Sequence, residues 1–322
     1  MPLYKLDLKD RKILYELDAN ARQSCSQIGK KLRLSPEVVN YRIKRLEEEK
    51  IITHYQIIVN LSKLDILQFK ICLSFQHLDS KNLEKIISKL KENDSVKWIV
   101  SCEGNWDMII SLETDSIEKM DLLKDEIIEL FQSYLIKKEI SILVEAITFN
   151  RDYLIDDKSA LKKSRIIMKK DKPIDLDDVD LAILKKLSEN SRKPIIELAQ
   201  EIKTTSRIVN YRIKQLIKNK VILGFKIAIH YERLGIKFYK AFIYLDHLSK
   251  ERVQALKSYF GQHHSIIHHV KVFGSWDLEP EFEVYSEKEF RKTISEIKDK
   301  FSDVIRNIET ATISEEHKFV YF

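Results

Sequence analysis

Apolar residues near the start of the chain recur at helical spacing. Ile13, Leu14 and Leu17 fall on one stripe, with Asp7 placed to cap it and Asp10 in its first turn, which predicts a helix over 7–19. A second helix is expected from Ser24, where Ser24-x-x-Gln27 has capping-box form and Ile28 and Leu32 face inward. After a short break at Arg33-Leu34, Ser35-Pro36-Glu37 reads as an N-cap followed by proline at the first helical position, and Val39, Ile43 and Leu46 form the inner stripe of a third helix. Ile51-Ile52 then opens an extended segment. Beyond it the pattern alternates between strand and helix. Strands are predicted at 67–77, 96–103, 107–113 and 138–148, and helices at 80–92 and 116–131.

The same pattern returns 170 residues later without a gap. Val39-Asn40-Tyr41-Arg42-Ile43-Lys44 falls on Val209-Asn210-Tyr211-Arg212-Ile213-Lys214, and Gly104, Trp106 and Asp107 fall on Gly274, Trp276 and Asp277. From 6 to 52 there are 17 identities in 47 aligned positions, so the copies have diverged, yet six identities are consecutive. Copy two has Pro194 near the start of its second helix with Glu197 after it, and Thr205-Ser206-Arg207 opening its third. Its strands are expected at 237–247, 265–273, 277–285 and 308–318, and its helices at 249–260 and 286–300. The fold class is therefore α+β: two copies of a small three-helix module, each followed by a βαββαβ unit with one open sheet face. An open apolar face must be covered, and sheet-to-sheet packing in a dimer is the expected answer.

Composition changes the picture in one respect. Hydrophobic content of 44% and charged content of 33% over 322 residues indicate a soluble globular chain of several domains. No apolar run approaches a membrane span and no apolar signal region opens the chain, so a cytoplasmic location without membrane partner is expected. Cys25, Cys72 and Cys102, without a CxxC pair, read as free thiols. Charge is unevenly spread: net +4 over 1–52, −5 over 53–149, +4 over 150–174, +3 over 175–222 and 0 over 223–322. Positive charge sits on the helical modules and on the segment between the copies, the footprint expected of nucleic-acid contact.

Three short helices with a tight turn before the third are the sequence form of a helix-turn-helix, whose third helix enters the major groove. Glu37, Asn40, Tyr41 and Lys44 lie off its inner stripe. Asn pairs with adenine, and Arg or Lys reaches guanine or phosphate. The candidate DNA contacts are Ser35, Glu37, Asn40, Tyr41, Arg42, Lys44 and Arg45 in copy one, and Thr205, Arg207, Asn210, Tyr211, Arg212 and Lys214 in copy two. Asn40/Asn210 and Tyr41/Tyr211 are placed near bases or sugar, and Arg42/Arg212 and Lys44/Lys214 on phosphate. The plain alternative is a solvated helix face left over from duplication. Glu37 against Arg207 reverses charge, so the two heads are expected to prefer different bases.

One strand of copy two stands apart. In 277–285 alternation puts Asp277, Glu279, Glu281 and Glu283 on one face, where copy one has Asp107, Ile109, Ser111 and Glu113. The preceding strand carries His263, His264, His268, His269 and Lys271. A three-residue loop would set Lys271 opposite Glu279 and His269 opposite Glu281. A solvated or ion-paired sheet surface is the first reading. A face pairing with a basic partner surface and a metal or pH sensor are the others, with no metal site assigned. Pro280 suggests an edge or a bulge. The connection at 150–174, rich in lysine, reads as a plain connector or a flexible basic tether, with 160–168 able to form a short helix or strand.

These residues together resemble the Lrp/AsnC transcription regulators. The resemblance rests on Leu6-Asp7-x-x-Asp10-x-x-Ile13-Leu14, Leu34-Ser35-Pro36, Arg42-Ile43-Lys44-Arg45-Leu46 with Ile51-Ile52, and the glycine-x-x-aspartate turn Gly104-Asn105-Trp106-Asp107, and it covers nearly the whole chain twice. It departs from the family in carrying two copies per chain, in having Lys50 and Lys220 where a glycine usually stands, and in lacking the Ser-Pro start in copy two. The resemblance implies a winged helix-turn-helix over 1–60 and again over 175–230, ferredoxin-like effector and dimerisation domains over 61–149 and 231–322, and a basic linker over 150–174. It implies a sequence-specific regulator of transcription that binds double-stranded DNA, forms a homo-oligomer through its sheet faces and responds to a small-molecule effector such as an amino acid. The effector or interface region would include Gly104, Asp107, Gly274 and Asp277, with Glu279 and Glu281 beside it. No catalytic residue and no cofactor is expected. The alternatives are an enzyme resembling the sirohaem decarboxylases, which use the same two-module fold, and an architectural DNA binder indifferent to sequence.

Overall fold

The computed structural model describes residues 3–155, 165–246 and 249–320. The chain opens with α1 (Leu8–Ala19), α2 (Cys25–Leu32) and α3 (Pro36–Glu48), then β1 (Ile52–Val59). The capping boxes form as the spacing predicts. Asp7 Oδ1 accepts from Asp10 N at 2.7 Å, Ser24 Oγ accepts from Gln27 N at 3.1 Å, and Gln27 Oε1 accepts from Ser24 N at 2.8 Å. Ser35 caps α3 through Val38 N at 3.3 Å, with Pro36 behind it. Ile13, Leu14, Leu17, Ile28, Val39, Ile43 and Leu46 are all buried.

The remainder of copy one is β2 (Leu67–Phe75), α4 (Ser80–Glu92), β3 (Val96–Gly104), β4 (Met108–Thr114), α5 (Ile117–Phe131) and β5 (Leu135–Phe149). The connection contributes a strand of its own, β6 (Arg165–Lys169). Copy two repeats the order as α6 (Asp178–Glu189), α7 (Ile195–Glu201), α8 (Ser206–Lys218), β7 (Ile222–Ile229), β8 (Lys237–Leu245), α9 (Lys250–Phe260), β9 (Ile266–Phe273), β10 (Leu278–Val284), α10 (Glu287–Lys300) and β11 (Ile305–Phe319).

The two βαββαβ sheets do not stay separate. Antiparallel pairing runs β2-β4-β3-β11-β8-β10-β9-β5 and returns from β5 to β2, closing an eight-stranded ring. Two long strands make the seams. β5 gives Leu135–Ile142 to β2 of its own copy and Ile142–Thr148 to β9 of the other. β11 gives Ile305–Ile313 to β8 and Ala311–Phe319 to β3. Closure leaves each copy's edge strand paired, which removes an exposed template for aggregation. Helices α4 and α5 cover one outer face and α9 and α10 the opposite one. The ring interior is filled from both copies, with Trp106 and Trp276 meeting at 6.0 Å between ring centroids.

Within one chain, the sheets of the two copies meet each other in the way expected between two chains. The repeated turn explains itself by the same seam. A Cβ on Gly104 (φ 124°) would meet Thr310 O at 2.8 Å, and one on Gly274 would meet Ile140 O at 2.9 Å, residues that are themselves 170 apart. Asp107 Oδ2 accepts from Phe75 N at 2.7 Å and Ser74 Oγ at 2.9 Å, and Asp277 Oδ2 accepts from Leu245 N at 2.8 Å. The aspartates tie the turn to the end of the neighbouring strand.

The heads are also fused. β1 and β7 pair antiparallel as a ribbon, with Ile57 opposite Phe225, and one continuous apolar core runs through both helical modules. A pair of arginines 170 residues apart fastens them. Arg22 Nη1 donates to Ser191 O at 2.5 Å and its guanidinium lies 5.6 Å from the Phe225 ring. Arg192 Nη1 donates to Ala21 O and Gln23 O, and its guanidinium lies 5.7 Å from the Tyr55 ring. The connection is no loose tether over 165–169, because β6 pairs with β5 (Ile147 opposite Ile167). The rest of that segment, 156–164, lies outside the described residues.

Candidate nucleic-acid interface

Both third helices turn the same face outward. Glu37, Asn40, Tyr41 and Lys44 on α3 are exposed, as are Arg207, Asn210, Tyr211 and Lys214 on α8. Ser35 and Thr205 stand at the two N-caps, their hydroxyls accepting from Val38 N and Ile208 N at 3.3 Å each, which leaves the helix N-termini ordered and positive.

The arginines are held differently from the sequence expectation. Arg42 Nη1 lies 2.7 Å from Asp7 Oδ2 and 2.7 Å from Asp10 Oδ1. Arg212 reaches Asp177 Oδ2 at 2.7 Å and Asp180 Oδ2 at 3.2 Å. Arg45 Nη2 grips both oxygens of Asp10, at 2.8 and 2.7 Å. These guanidiniums tie the third helix to the first turn of the first helix, while the side chains of Arg45 and Arg212 keep about a third of their surface exposed. Part of the repeated six-residue run therefore has an internal cause. Lys50 and Lys220 occupy left-handed backbone (φ 53° and 58°) directly after α3 and α8, the conformation a glycine takes without strain. Their side chains are exposed beside the ribbon.

The acidic strand faces inward, so of the solvated or ion-paired surface expected from the sequence, the ion-paired form is the one found, and it is buried. Glu279 is fully buried and accepts from Lys70 Nζ at 2.5 Å, Trp276 Nε1 at 2.8 Å and Ser141 Oγ at 3.3 Å, with Lys240 Nζ at 2.9 Å. Lys240 also reaches Glu281 at 2.7 Å. Lys70 and Lys240 are repeat-related, so two lysines converge on the axis between the copies and β10 alone supplies the two carboxylates. Burial pushes the Glu279 carboxyl up, but Lys240 and Lys70 outweigh it and hold it well below the usual range. Of the two lysines, Lys70 comes from copy one and Lys240 from copy two itself.

The register is shifted by one from expectation. Lys271 pairs with Leu278, Glu279 with Val270 and Glu281 with His268. Pro280 sits in a central strand, where the ladder to β8 skips from Leu278 to Glu281 and a bulge follows at Glu281/Phe282. His268 and His269 stay neutral. Burial pushes His268 down to about 4 and His269 to about 3, and His269 lies between the Phe149 and Phe260 rings with neither nitrogen hydrogen-bonded. Among the described residues no group of three or more His, Cys, Asp or Glu is placed to hold a metal.

A second buried network, unmarked in the sequence reading, connects barrel to heads. Arg151, just past β5, donates from Nη1 to Asp18 of α1 at 2.7 Å and to Ile227 O of β7 at 3.0 Å. It donates from Nε and Nη2 to Glu283 of β10 at 2.9 and 3.1 Å. Lys226 Nζ adds a bond to Asp18 at 2.9 Å, and Tyr153 donates to Glu283. A cavity of about 180 Å³ lies beside this network, between the β1–β7 ribbon and the barrel, with β6 along one side. The available signals were weak: Arg22/Arg192 are repeat identities, whereas Asp18, Arg151 and Lys226 have no counterpart 170 residues away in the same residue type.

Comparison with known proteins places this arrangement. A winged helix-turn-helix DNA-binding family matches residues 6–53 and 176–222. An HTH-type transcriptional regulator of Pyrococcus abyssi is 31% identical over 116 residues, 36% of this chain and 77% of that protein. The regulatory protein AsnC of Haemophilus influenzae is 25% identical over 120 residues, 37% of this chain and 78% of that protein. Among solved structures, the siroheme decarboxylase NirDL superposes with a TM-score of 0.63 over 97% of this chain and 93% of that one, at 12% identity, a likeness of fold. No helix among the described residues is long and apolar enough to cross a membrane.

Proposed function

We propose, from the premise that this chain belongs to the Lrp/AsnC family of DNA-binding transcription regulators, that it is a sequence-specific regulator whose two heads read one asymmetric site and answer to a small effector. The observation that carries this is the fused pair of heads, with two exposed recognition faces on one shared core. Fixing two readers on one body removes the association step a dimer would need. Asn40 and Asn210 are assigned to bases, Tyr41 and Tyr211 to bases or sugar, and Lys44 and Lys214 to phosphate. Glu37 and Arg207 differ in sign at an exposed groove position, which supports different half-sites.

Affinity for the DNA upstream of its own gene, titrated against salt with scrambled DNA as control, tests this. A steep salt slope with a gap of about a thousandfold supports a specific regulator. A steep slope on every DNA tried, without a gap, supports an architectural binder.

An enzyme on this fold is the second reading, favoured by the superposition over 97% of the chain. The cavity of about 180 Å³ lies below the roughly 300 Å³ at which pockets for drug-sized ligands begin, which disfavours a tetrapyrrole. An absorbance change of an added tetrapyrrole, together with absence of DNA binding at low salt, would replace the regulator with the enzyme.

A further inference from the structure

The repeat makes each copy a control for the other. In copy two, Glu283 is met by the Arg151 guanidinium, with Lys226 alongside on Asp18. Shifted back by 170, Glu283 becomes Glu113 and Lys226 becomes Gln56, while the counterpart of Asp18 is Ser188. Glu113 is buried, with its side chain 8% exposed. Among the described residues nothing donates a hydrogen bond to its carboxylate, and the nearest cation, Lys97 Nζ, stands 3.9 Å away. Burial pushes the Glu113 carboxyl up to about 7, and Lys97 only partly opposes this. A buried carboxylate in this state lacks the partner that such groups ordinarily have. It does not face packed protein: Glu113 lines the cavity, together with Gln56, Gln68, Ser111 and Lys97. Gln68 Nε2 donates to Ser111 Oγ at 3.1 Å, so this wall is built and polar.

We propose that this half of the cavity binds a small molecule carrying an ammonium or guanidinium group, which rests on Glu113 as Arg151 rests on Glu283. The volume of about 180 Å³ restricts the occupant to a small amine, guanidine or amino acid. Lys97 keeps a fifth of its side-chain surface exposed and gives way to the incoming cation, or turns to the carboxylate of a zwitterion. The occupant joins barrel strand β4 to wing strand β1, as Arg151 joins β10 to α1 and β7. The site supplies the effector that the regulatory reading calls for, and it rests on that reading only for its consequence.

The test is calorimetric titration of the full chain, without DNA, with methylguanidinium, agmatine and arginine. Saturable binding with one site per chain and a Kd of about 1 mM or tighter is expected for at least one of them. Tighter binding of agmatine identifies a cation without a carboxylate, and tighter binding of arginine identifies an amino acid. Glu113→Gln weakens the affinity about tenfold or more. Gln56→Lys, which tethers an ammonium where copy two has Lys226, blocks the site in the same way while its circular dichroism stays that of the wild type. No saturable heat from any of the three, or an unchanged affinity in Glu113→Gln, overturns the proposal. Ligand binding with no effect on DNA affinity would leave the site standing and remove its regulatory role. DNA binding with no ligand binding would do the reverse.

Discussion

Replacing Arg151 by methionine removes a guanidinium that touches a head and the barrel together. Arg151 supplies two bonds to Glu283, at 2.9 and 3.1 Å, and one to the Asp18 carboxylate at 2.7 Å. Asp18 keeps Lys226 at 2.9 Å, so the loss falls mainly on Glu283, whose side chain is 3% exposed and retains Tyr153. Removing one partner of a buried pair costs about 3–5 kcal/mol, because the charge left behind is desolvated and uncompensated. Adding Glu283→Gln removes that charge. The double variant then lacks only ordinary hydrogen bonds at about 1 kcal/mol each, so it recovers about 2 kcal/mol of the loss. Urea unfolding followed by two probes reads both levels. All three tryptophans, Trp98, Trp106 and Trp276, are buried in the barrel, so their fluorescence reports the barrel, while the far-ultraviolet helix signal also reports the heads. Arg151→Met is expected to shift the fluorescence transition by the stated amount and to separate it from the helix transition. A loss below about 1 kcal/mol, or no recovery in the double variant, would refute the argument that this network joins the two layers.

Further outcomes follow from the same geometry. Glu113→Gln tests a pH dependence: with its carboxyl pushed from 4.5 to about 7 in the folded chain, the favourable contribution is present below pH 4.5 and lost as pH rises through 7. The glutamine variant should therefore match the wild type near pH 4 and exceed it by about 3 kcal/mol at pH 8, and equal stabilities at pH 8 would refute the shift. Lys50→Gly and Lys220→Gly relieve left-handed backbone and should each raise the stability of the heads by about 1 kcal/mol, measured by thermal unfolding followed in the helix signal. Arg42→Ala removes the ion pairs to Asp7 and Asp10 and should destabilise the first head by about 1–3 kcal/mol, lowering DNA affinity through folding; DNA affinity lost at unchanged melting temperature would show direct phosphate contact instead.

The heads were legible because their signals are local. Caps at Asp7, Ser24 and Ser35 and stripes such as Ile13-Leu14-Leu17 depend only on near neighbours in sequence, and each forms as the spacing predicts. The strand order within each copy was legible for the same reason. The closure of the ring was not, because the pairing of β3 with β11 or β5 with β9 joins residues more than a hundred apart and leaves no periodic trace. The acidic strand shows the limit most clearly. Alternation separates Glu279, Glu281 and Glu283 from Phe282 and Val284, but it does not say which face is inside a closed barrel with helices on its outer surface. The lysines that neutralise Glu279 lie on β2 and β8, and their repeat relation was visible while their destination was not. The internal ion pairs of Arg42 and Arg212 were legible in principle, because Asp7/Asp177 and Asp10/Asp180 repeat together with the polar run.

The central claim is that one chain presents two working heads as a single body. It is tested most directly by the salt dependence of binding to a selected site for three variants: Lys44→Ala, Lys214→Ala and both together. The account predicts that each single variant lowers the slope of log K against log salt by about one, and that the double variant lowers it by about two. A slope that changes with only one of the two lysines, or with neither, would contradict it.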